Sequence, residues 1–517
     1  MSSPVRSLDP SVPRRESAGP PPAFSTRKRR TVLTWGLGVD STAIILRFID
    51  DPAANGLEPD LSDLVVVHAV TGEEFSDSLS YADRLVLPLL RARKIRLVQV
   101  CRGGPRDADG VLVLDDSRTP RRIHAAGPWR LSDELCTAGT VPMLASGQRR
   151  CSIRFKGWVL DTWAAHEFGS ETFRRVIGYH ADELDRAQKN SAIQDRLNAA
   201  AARIICEPDY PLIRAGMDRD DVERYVLDCL GEPISKSHCT MCPFTGVCSS
   251  RSRYEERLRA HPAEAVQVLR MEYISLALNE RMSLYGPAGS LYWRLAEDSR
   301  NRPLLDAFRK DLEQASYAVY DVRRITSVGR TKDCRRWHGK DCAEPKWWCS
   351  RQRTPRCRRI HTAVDQNGAP IDVEPQCPGG DEQCRGAQQK GPTWRSVRTV
   401  YEGPRERAEL LLDRLAERFP GWVRLEKGEE SGIRRAYYLS DSEALPYAEA
   451  FVVAAPAGVA DKQRPGFEER WTEHTGRRRP ILPPLRELPE PARHGRSSSG
   501  LAPLHRAEGA GDALLTA

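Results

Sequence analysis

The stretch from Thr31 to Leu46 most restricts what this chain can fold into: a β-type run, a turn holding Gly36 and Gly38, then an apolar run suited to a helix. Glycine at both turn positions lets the backbone bend tightly and bare its amide N–H groups. Asp40, Ser41 and Thr42 follow at what becomes the positive end of the helix, where an anion is favoured. The pattern is that of a turn built for a polyphosphate. A Walker A loop is excluded, because its last Gly precedes Lys and Ser or Thr, whereas Val39 and Asp40 follow Gly38. A dinucleotide fingerprint needs a third Gly three places after Gly38, where Ser41 stands.

Three further segments follow in order. Leu64 to Phe75 is a β-branched run of buried-strand type that ends in Thr71, Gly72, Glu73 and Glu74. Arg149 to Lys156 sets Arg154 and Lys156 beside Cys151, and Val176 to Arg186 runs from a strand into a polar turn with Gly178, His180, Asp182 and Glu183. Open parallel sheets place ligands at strand carboxyl ends, which is where such turns fall.

Together these four segments resemble the PP-loop ATP pyrophosphatases. Within that superfamily the pattern is similar to the phosphoadenosine phosphosulfate (PAPS) reductase-like family, closest to the sulfur-transfer ATPases of DNA phosphorothioation and phage-type PAPS reductase-like proteins. Leu37, His180 and Leu184 stand where the family has Gly, Arg and Ser. The resemblance spans roughly residues 31–260 and implies an α/β domain with a parallel sheet of the adenine-nucleotide alpha-hydrolase-like (PP-loop) kind. It implies that Trp35, Gly36, Gly38, Val39, Asp40, Ser41, Thr42, Thr71, Gly72, Arg154, Lys156, Gly178 and His180 surround ATP or PAPS. It further implies Mg²⁺ on the phosphates, with Asp40, Glu73, Glu74, Asp182 and Glu183 as catalytic carboxylates.

Of 14 cysteines, Cys239, Cys242 and Cys248 crowd into one short segment as Cys-x-x-Cys followed by Pro243 and a third Cys. Thiolates so spaced suit zinc or an iron–sulfur cluster and need a fourth ligand from elsewhere. The resemblance supplies Cys151 for a 4Fe–4S cluster. Zinc with His238 as a ligand is the competing metal, a redox dithiol is a third reading, and small buried side chains are a fourth. The Glu-Cys-Gly-x-His motif on which true PAPS reductases carry their nucleophile is absent, and no Cys follows Leu485. Sulfur incorporation into a nucleic-acid or nucleotide acceptor, driven by ATP, is therefore expected ahead of sulfonucleotide reduction. A nucleotide-sensing, nucleic-acid-binding protein of a defence system is a further alternative. DNA or RNA, and a sulfur-donor protein such as a cysteine desulfurase, are the expected partners.

At 517 residues the chain exceeds one ordinary core. No run of about 18 apolar residues occurs and the N-terminus lacks an apolar signal region, so a cytoplasmic protein with no membrane partner is expected. In that compartment Cys pairs read as metal or redox sites before disulfides. Residues 1–30 are expected to be a disordered basic arm, 31–300 the PP-loop domain, 301–392 a basic Cys/Trp-rich segment, 393–458 a small α+β domain and 459–517 a disordered tail.

Within 31–300, strands are expected at 31–35, 64–70, 95–100 and 174–178, an edge strand at 210–213, and helices at 218–230, closed by Gly231, and 262–281. From about 319 to 359 a run of Arg and Lys, beginning with Arg323 and Arg324, interleaves with Trp337, Trp347 and Trp348, as phosphate contact with base stacking requires. Cys334, Cys342, Cys349 and Cys357 with His338, joined by Cys377 and Cys384, would form a metal-stapled knuckle there. A solvated Arg-rich loop is the plainer reading. In the α+β unit a helix at 405–419 is expected to turn Leu410, Leu411, Leu415 and Phe419 inward, between strands near 398–401, 422–425 and 435–439.

Overall fold

The computed structural model describes residues 6–8, 29–142, 149–203, 205–235, 237–245, 251–286, 289–328, 390–428, 431–441 and 447–476. The chain builds two sheets. The first has strands β1 (Arg6–Leu8), β2 (Thr31–Thr34), β3 (Leu64–Ala69), β4 (Arg96–Arg102), β5 (Val111–Ser117), β6 (Phe173–Val176) and β7 (Cys206–Asp209), in the order β1-β5-β4-β3-β2-β6-β7. β4, β3, β2, β6 and β7 run parallel, while β5 and β1 are antiparallel at one edge. The protein is thus α/β with a mixed, mostly parallel sheet and a separate antiparallel one.

β2 and β3 are short continuous apolar runs because both sheet faces are covered. One face packs on the helix Val39–Asp50 and the helix Arg219–Leu230, through Phe48, Ile44, Val222 and Val226. The other takes the helix Trp158–Phe168, through Val159, Trp163 and Phe168. A third core joins Leu131 and Phe155 to the helices Arg251–Ala260, Pro262–Leu278 and Arg302–Gln314. The first module therefore runs past 300, because Leu304, Leu305, Phe308 and Leu312 of that last helix close its core.

Several expected boundaries shift for local reasons. The edge strand is Cys206–Asp209, and Pro211–Arg214 is instead a helical turn with Pro211 at its first position, where a missing N–H costs nothing. The helix at 219–230 starts on the Asp218 cap, whose carboxylate accepts from the Asp221 N–H, and stops at Gly231 with φ +77°. Inside the expected N-terminal arm, Arg6–Leu8 forms the edge strand on β5.

The second sheet has strands β8 (Tyr317–Val328), β9 (Lys390–Gly403), β10 (Arg424–Lys427), β11 (Arg434–Asp441), β12 (Tyr447–Pro456) and β13 (Lys462–Gln463), in the order β10-β11-β12-β8-β9-β13. It is larger than the unit expected at 393–458, taking β8 from the basic segment and β13 with the helix Phe467–Thr475 from the expected tail. The helix Arg405–Arg418 buries Ala408, Leu411, Leu412 and Leu415; Leu410, expected inward, is 38% exposed. Arg323 and Arg324, expected to meet phosphates, lie in β8 and pair with Glu468 and Glu449. The Arg-, Trp- and Cys-rich run 329–389, with all the Cys residues of the expected knuckle, lies outside the described residues. Among the described residues no helix is long and apolar enough to cross a membrane.

Candidate functional site

In the first sheet the chain leaves β2 toward β3 on one side and reaches β6 on the other, so β2/β6 is the topological switch point. The crevice at the carboxyl ends of these two strands is where such sheets take ligands. Two of the four sequence segments meet there. The turn after β2 carries Gly36, Leu37 and Gly38 into the helix Val39–Asp50, whose cap residue Gly38 makes no side-chain cap bond. After β6, Gly178 lies so close that a Cβ on it would be 2.9 Å from the Ser41 nitrogen.

Each residue of the glycine turn has a definite place. Leu37 adopts φ +57° and is fully buried in the core, so its side chain points away from the crevice. That left-handed conformation costs a non-glycine residue about 1–2 kcal/mol. Trp35 is also fully buried; its indole N–H donates to the Thr42 hydroxyl at 3.1 Å, and its carbonyl is 2.9 Å from His68 Nδ1. Trp35 and Thr42 thus hold strand to helix through side chains that do not reach the crevice. The Ser41 hydroxyl donates to the Gly38 carbonyl at 3.2 Å, and the Val39 side chain is buried. Asp40 is the charged side chain of this first turn, and the Arg219 guanidinium lies 3.3 Å from it. Arg219 also donates its backbone N–H to Asp182 at 3.2 Å, tying the glycine turn to the turn after β6. His180 Nδ1 is 3.2 Å from the Asp182 carboxylate, and Glu183 pairs with Arg186.

The third segment turns at the end of β3. Gly72 has φ +85°, and a Cβ there would meet the Arg130 side chain at 2.7 Å. The Thr71 hydroxyl donates to Glu74 and accepts from the Glu73 N–H, at 3.2 and 3.3 Å. The two adjacent carboxyls then diverge. Glu73 is 3% exposed and accepts one N–H, from Ser132 at 2.8 Å. Burial outweighs that bond and pushes it up to about 7. Burial is also the largest single influence on Glu74, but the Lys156 ammonium at 3.6 Å, His68 and the Thr71 hydroxyl together hold this carboxyl below its usual range. Glu74 is thus ionised at neutral pH while Glu73 titrates across it.

Lys156 lies in the π-helical turn Ile153–Gly157, just past Cys151. It is 30% exposed and its pKa is raised, chiefly by Glu74 and further by Cys239 and Cys242. Arg154, in the same turn, is tied to Glu134 at 2.6 Å. Cys151, Cys239 and Cys242 are half-buried free thiols. Burial raises the pKa of Cys239, with Lys156 opposing and Glu74, Cys242 and Cys151 adding to the rise; burial likewise raises Cys151. These thiols lie within electrostatic reach of one ammonium, and a cation is what would make them ligands as thiolates. Among the described residues no three His, Cys, Asp or Glu side chains are arranged to hold a metal ion, and Cys248 lies outside those residues. The donor chemistry therefore matches a thiolate-bound metal while the described geometry does not complete a ligand set.

The thiol segment is docked on the glycine turn. The Ser237 hydroxyl donates to the Gly36 carbonyl, a Cβ on Gly38 would lie 2.8 Å from the Ser237 Cβ, and the Thr240 N–H donates to the Glu73 carbonyl at 2.9 Å. Cys239 is two residues beyond Ser237, so their Cα atoms lie at most about 7 Å apart. Ser237, Arg219 and His68 escape a reading of the sequence, since each acts through a partner remote in the chain. His68 sits inside a β-branched run and reads as a strand residue; buried, with its pKa lowered by burial and Nε2 without a partner, it faces the charges of Glu74 and Lys156.

Comparison with family models, curated proteins and solved structures returns no match to this chain.

The raised Glu73 carboxyl makes a pH prediction. Below about 4.5 the group is protonated folded and unfolded; between 4.5 and about 7 the unfolded chain ionises first, so stability falls as pH rises, and above 7 the loss is complete. The shift corresponds to roughly 3 kcal/mol. Glu73→Gln removes this component, so urea denaturation at pH 5 and 8.5 should show the wild type losing about that much relative to the variant. Parallel pH profiles would contradict the burial argument.

Proposed function

We propose that this chain is a PP-loop enzyme of PAPS reductase-like character that uses ATP to activate an acceptor for sulfur incorporation, the acceptor being a nucleic acid or nucleotide. One observation carries the reading: the Ser237 hydroxyl donates to the Gly36 carbonyl, seating the segment that leads into Cys239 two residues later on the glycine turn. Phosphate chemistry and sulfur chemistry then share one site. The amide N–H groups at the start of the helix Val39–Asp50 stabilise charge that develops on pyrophosphate as the acceptor oxygen takes the α-phosphorus. Asp40 would help to hold Mg²⁺, which would supply positive charge against that of the phosphates. Arg219 holds Asp40 toward the crevice mouth, and Glu73, pushed up to about 7, exchanges the acceptor's proton. Sulfur at the sulfide level, released from a persulfide donor by a thiol reductant, then bonds to the activated centre as the bond to the adenylate oxygen breaks, and AMP leaves with that oxygen.

Cys151, Cys239, Cys242 and Cys248 are the proposed ligands of a 4Fe–4S cluster, with zinc as the alternative metal, and a bound cluster would supply iron to hold sulfur. The absence of the Glu-Cys-Gly-x-His motif weighs against sulfonucleotide reduction. A cysteine desulfurase is the proposed donor.

Two substitutions in anaerobically purified protein test this. Asp40→Ala should lower release of AMP and pyrophosphate from ATP by on the order of 10²-fold, since the turn is then misplaced, while fold and metal content stay as in the wild type. Cys239→Ser should remove bound iron and sulfide. Retained turnover sinks the loop assignment, and unchanged iron sinks the cluster.

A further inference from the structure

We propose that the C-terminal antiparallel sheet is a working part of the candidate site, with Arg395 and Lys462 as positioning residues that fix the helix Leu131–Ala138 and, through its first turn, the Glu73 carboxylate. The proposal rests on the reading of Glu73 as a site carboxylate.

The helix concerned has 8 residues, about two turns. Isolated helices shorter than about 12 residues are marginal in water, so the bonds at its ends decide where it sits. At its start, the Leu131 N–H donates to the Thr71 carbonyl at 3.1 Å and the Ser132 N–H to Glu73 Oε1 at 2.8 Å. Gly72 leaves no space beside Arg130 for a side chain, so the turn after β3 and the helix start move together.

The other end is held from the second sheet. The last carbonyls of a helix lack partners within it and favour cations. Here Arg395 of β9 donates to the carbonyls of Ala138 at 2.6 Å and Gly139 at 3.2 Å, and the Lys462 ammonium of β13 donates to Ala138 as well. The Ala460 N–H takes the Thr137 carbonyl at 3.0 Å. Gly139, at φ +56°, ends the helix against Leu278 and Val459, where a Cβ would overlap the Leu278 side chain. Carbonyls at three successive positions, 137–139, are thus bonded by β9, by β13 and by Ala460 just before β13.

The arrangement is costly to the sheet that supplies it. Burial, with the Arg324 charge nearby, pushes the pKa of Arg395 down to about 10, and burial together with the Arg395 charge pushes that of Lys462 down to about 7. Buried charges are often replaced by apolar side chains without loss of stability. The pair is accounted for by what it holds, an 8-residue helix whose far end donates a hydrogen bond to a site carboxylate.

Hydrogen exchange on the full chain reads the link without requiring activity. Arg395→Gln and Lys462→Met should each speed exchange on the order of tenfold at 131–138 and also at 71–75, as opening of a coupled local unit does. Lys462→Arg should restore protection at both. Where the wild type turns over ATP, the same variants should lower kcat on the order of tenfold with KM for ATP little changed, because Glu73 is displaced rather than the phosphate turn. Faster exchange confined to 137–139, with 71–75 as in the wild type, overturns the proposal even if ATP is a substrate. Should ATP prove not to be a substrate, coupled exchange would still uphold the mechanical link while the functional reading failed. Arg395→Lys, which keeps the charge, serves if Arg395→Gln does not fold, and wild-type exchange at 71–75 in a variant that has lost the Gly139 contact would again overturn it.

Discussion

Gly178→Ala is expected to lower ATP affinity by on the order of 10²-fold, the penalty of misplacing a binding turn by about 1 Å. The added Cβ would lie 2.9 Å from the Ser41 nitrogen and 3.2 Å from the Asp40 carbonyl carbon. Both are backbone atoms at the start of the helix Val39–Asp50, so neither can swing aside as a side-chain tip would. Either the glycine turn or the turn after β6 must retreat, and the amides lining the crevice retreat with it. Overpacking of this kind also costs about 1–3 kcal/mol of stability. Gly157→Ala is the matched control. Its nearest contact would be at 3.9 Å, and its backbone is already helical at φ −57°, so it should leave affinity unchanged and raise stability slightly. Titration with ATP, alongside urea denaturation, separates the two effects. Wild-type affinity in Gly178→Ala would mean that the turn after β6 is not part of the phosphate crevice.

Trp471→Ala should destabilise the protein by about 3–5 kcal/mol, the range for emptying a buried tryptophan site. Trp471 is 0% exposed, packs with Phe467, Ile325, Ala448 and Ala450, and stacks on the Phe467 ring at 5.8 Å. Arg323, buried in β8 and paired with Glu468, reaches over the same two rings. Removing the indole therefore opens a cavity and strips the cover from a buried guanidinium. Chemical denaturation of the full chain measures the loss. A change below about 0.5 kcal/mol, the usual limit for surface positions, would show that 467–475 does not close the second sheet.

The contrast between those two positions shows what a sequence of this kind exposes. The parallel strands were legible because β-branched runs buried on both faces carry no other reading at that length, and the helix 219–230 because Asp218 and Gly231 mark its ends with their own chemistry. The glycine turn was legible from its paired glycines, although only Gly38 is crowded, a Cβ there lying 2.8 Å from the Ser237 Cβ, while one on Gly36 would meet nothing nearer than 3.8 Å. β7 was not: Cys206, Glu207, Pro208 and Asp209 have little strand propensity, and the pairing comes from β6 alongside. The helix at 467–475 is short, and its one signal, Phe467 and Trp471 four apart, is surrounded by Pro, Arg and Glu that read as unfolded chain. Leu410 was placed inward and Leu412 was passed over because one turn of an amphipathic helix can be rotated without disturbing the pattern.

The candidate site divides the same way. Gly72, at φ +85°, and Gly178, against the Ser41 backbone, were named through the resemblance because each stands in a short motif. Residues that act on a remote partner were not: Arg219 reaches Asp40 from 179 positions away, and Ser237 reaches Gly36 across 201. Arg395 and Lys462 lie in a part of the chain whose pattern gave no hint of a link to Glu73.

Titration calorimetry of the full-length wild-type chain with ATP and Mg²⁺, set against adenosine, tests the central claim most directly. If the β2/β6 crevice is a polyphosphate site, ATP binds saturably at one site and adenosine binds far more weakly, because the phosphates meet the helix amides and Arg219. No binding of ATP, or adenosine binding as tightly as ATP, would contradict it.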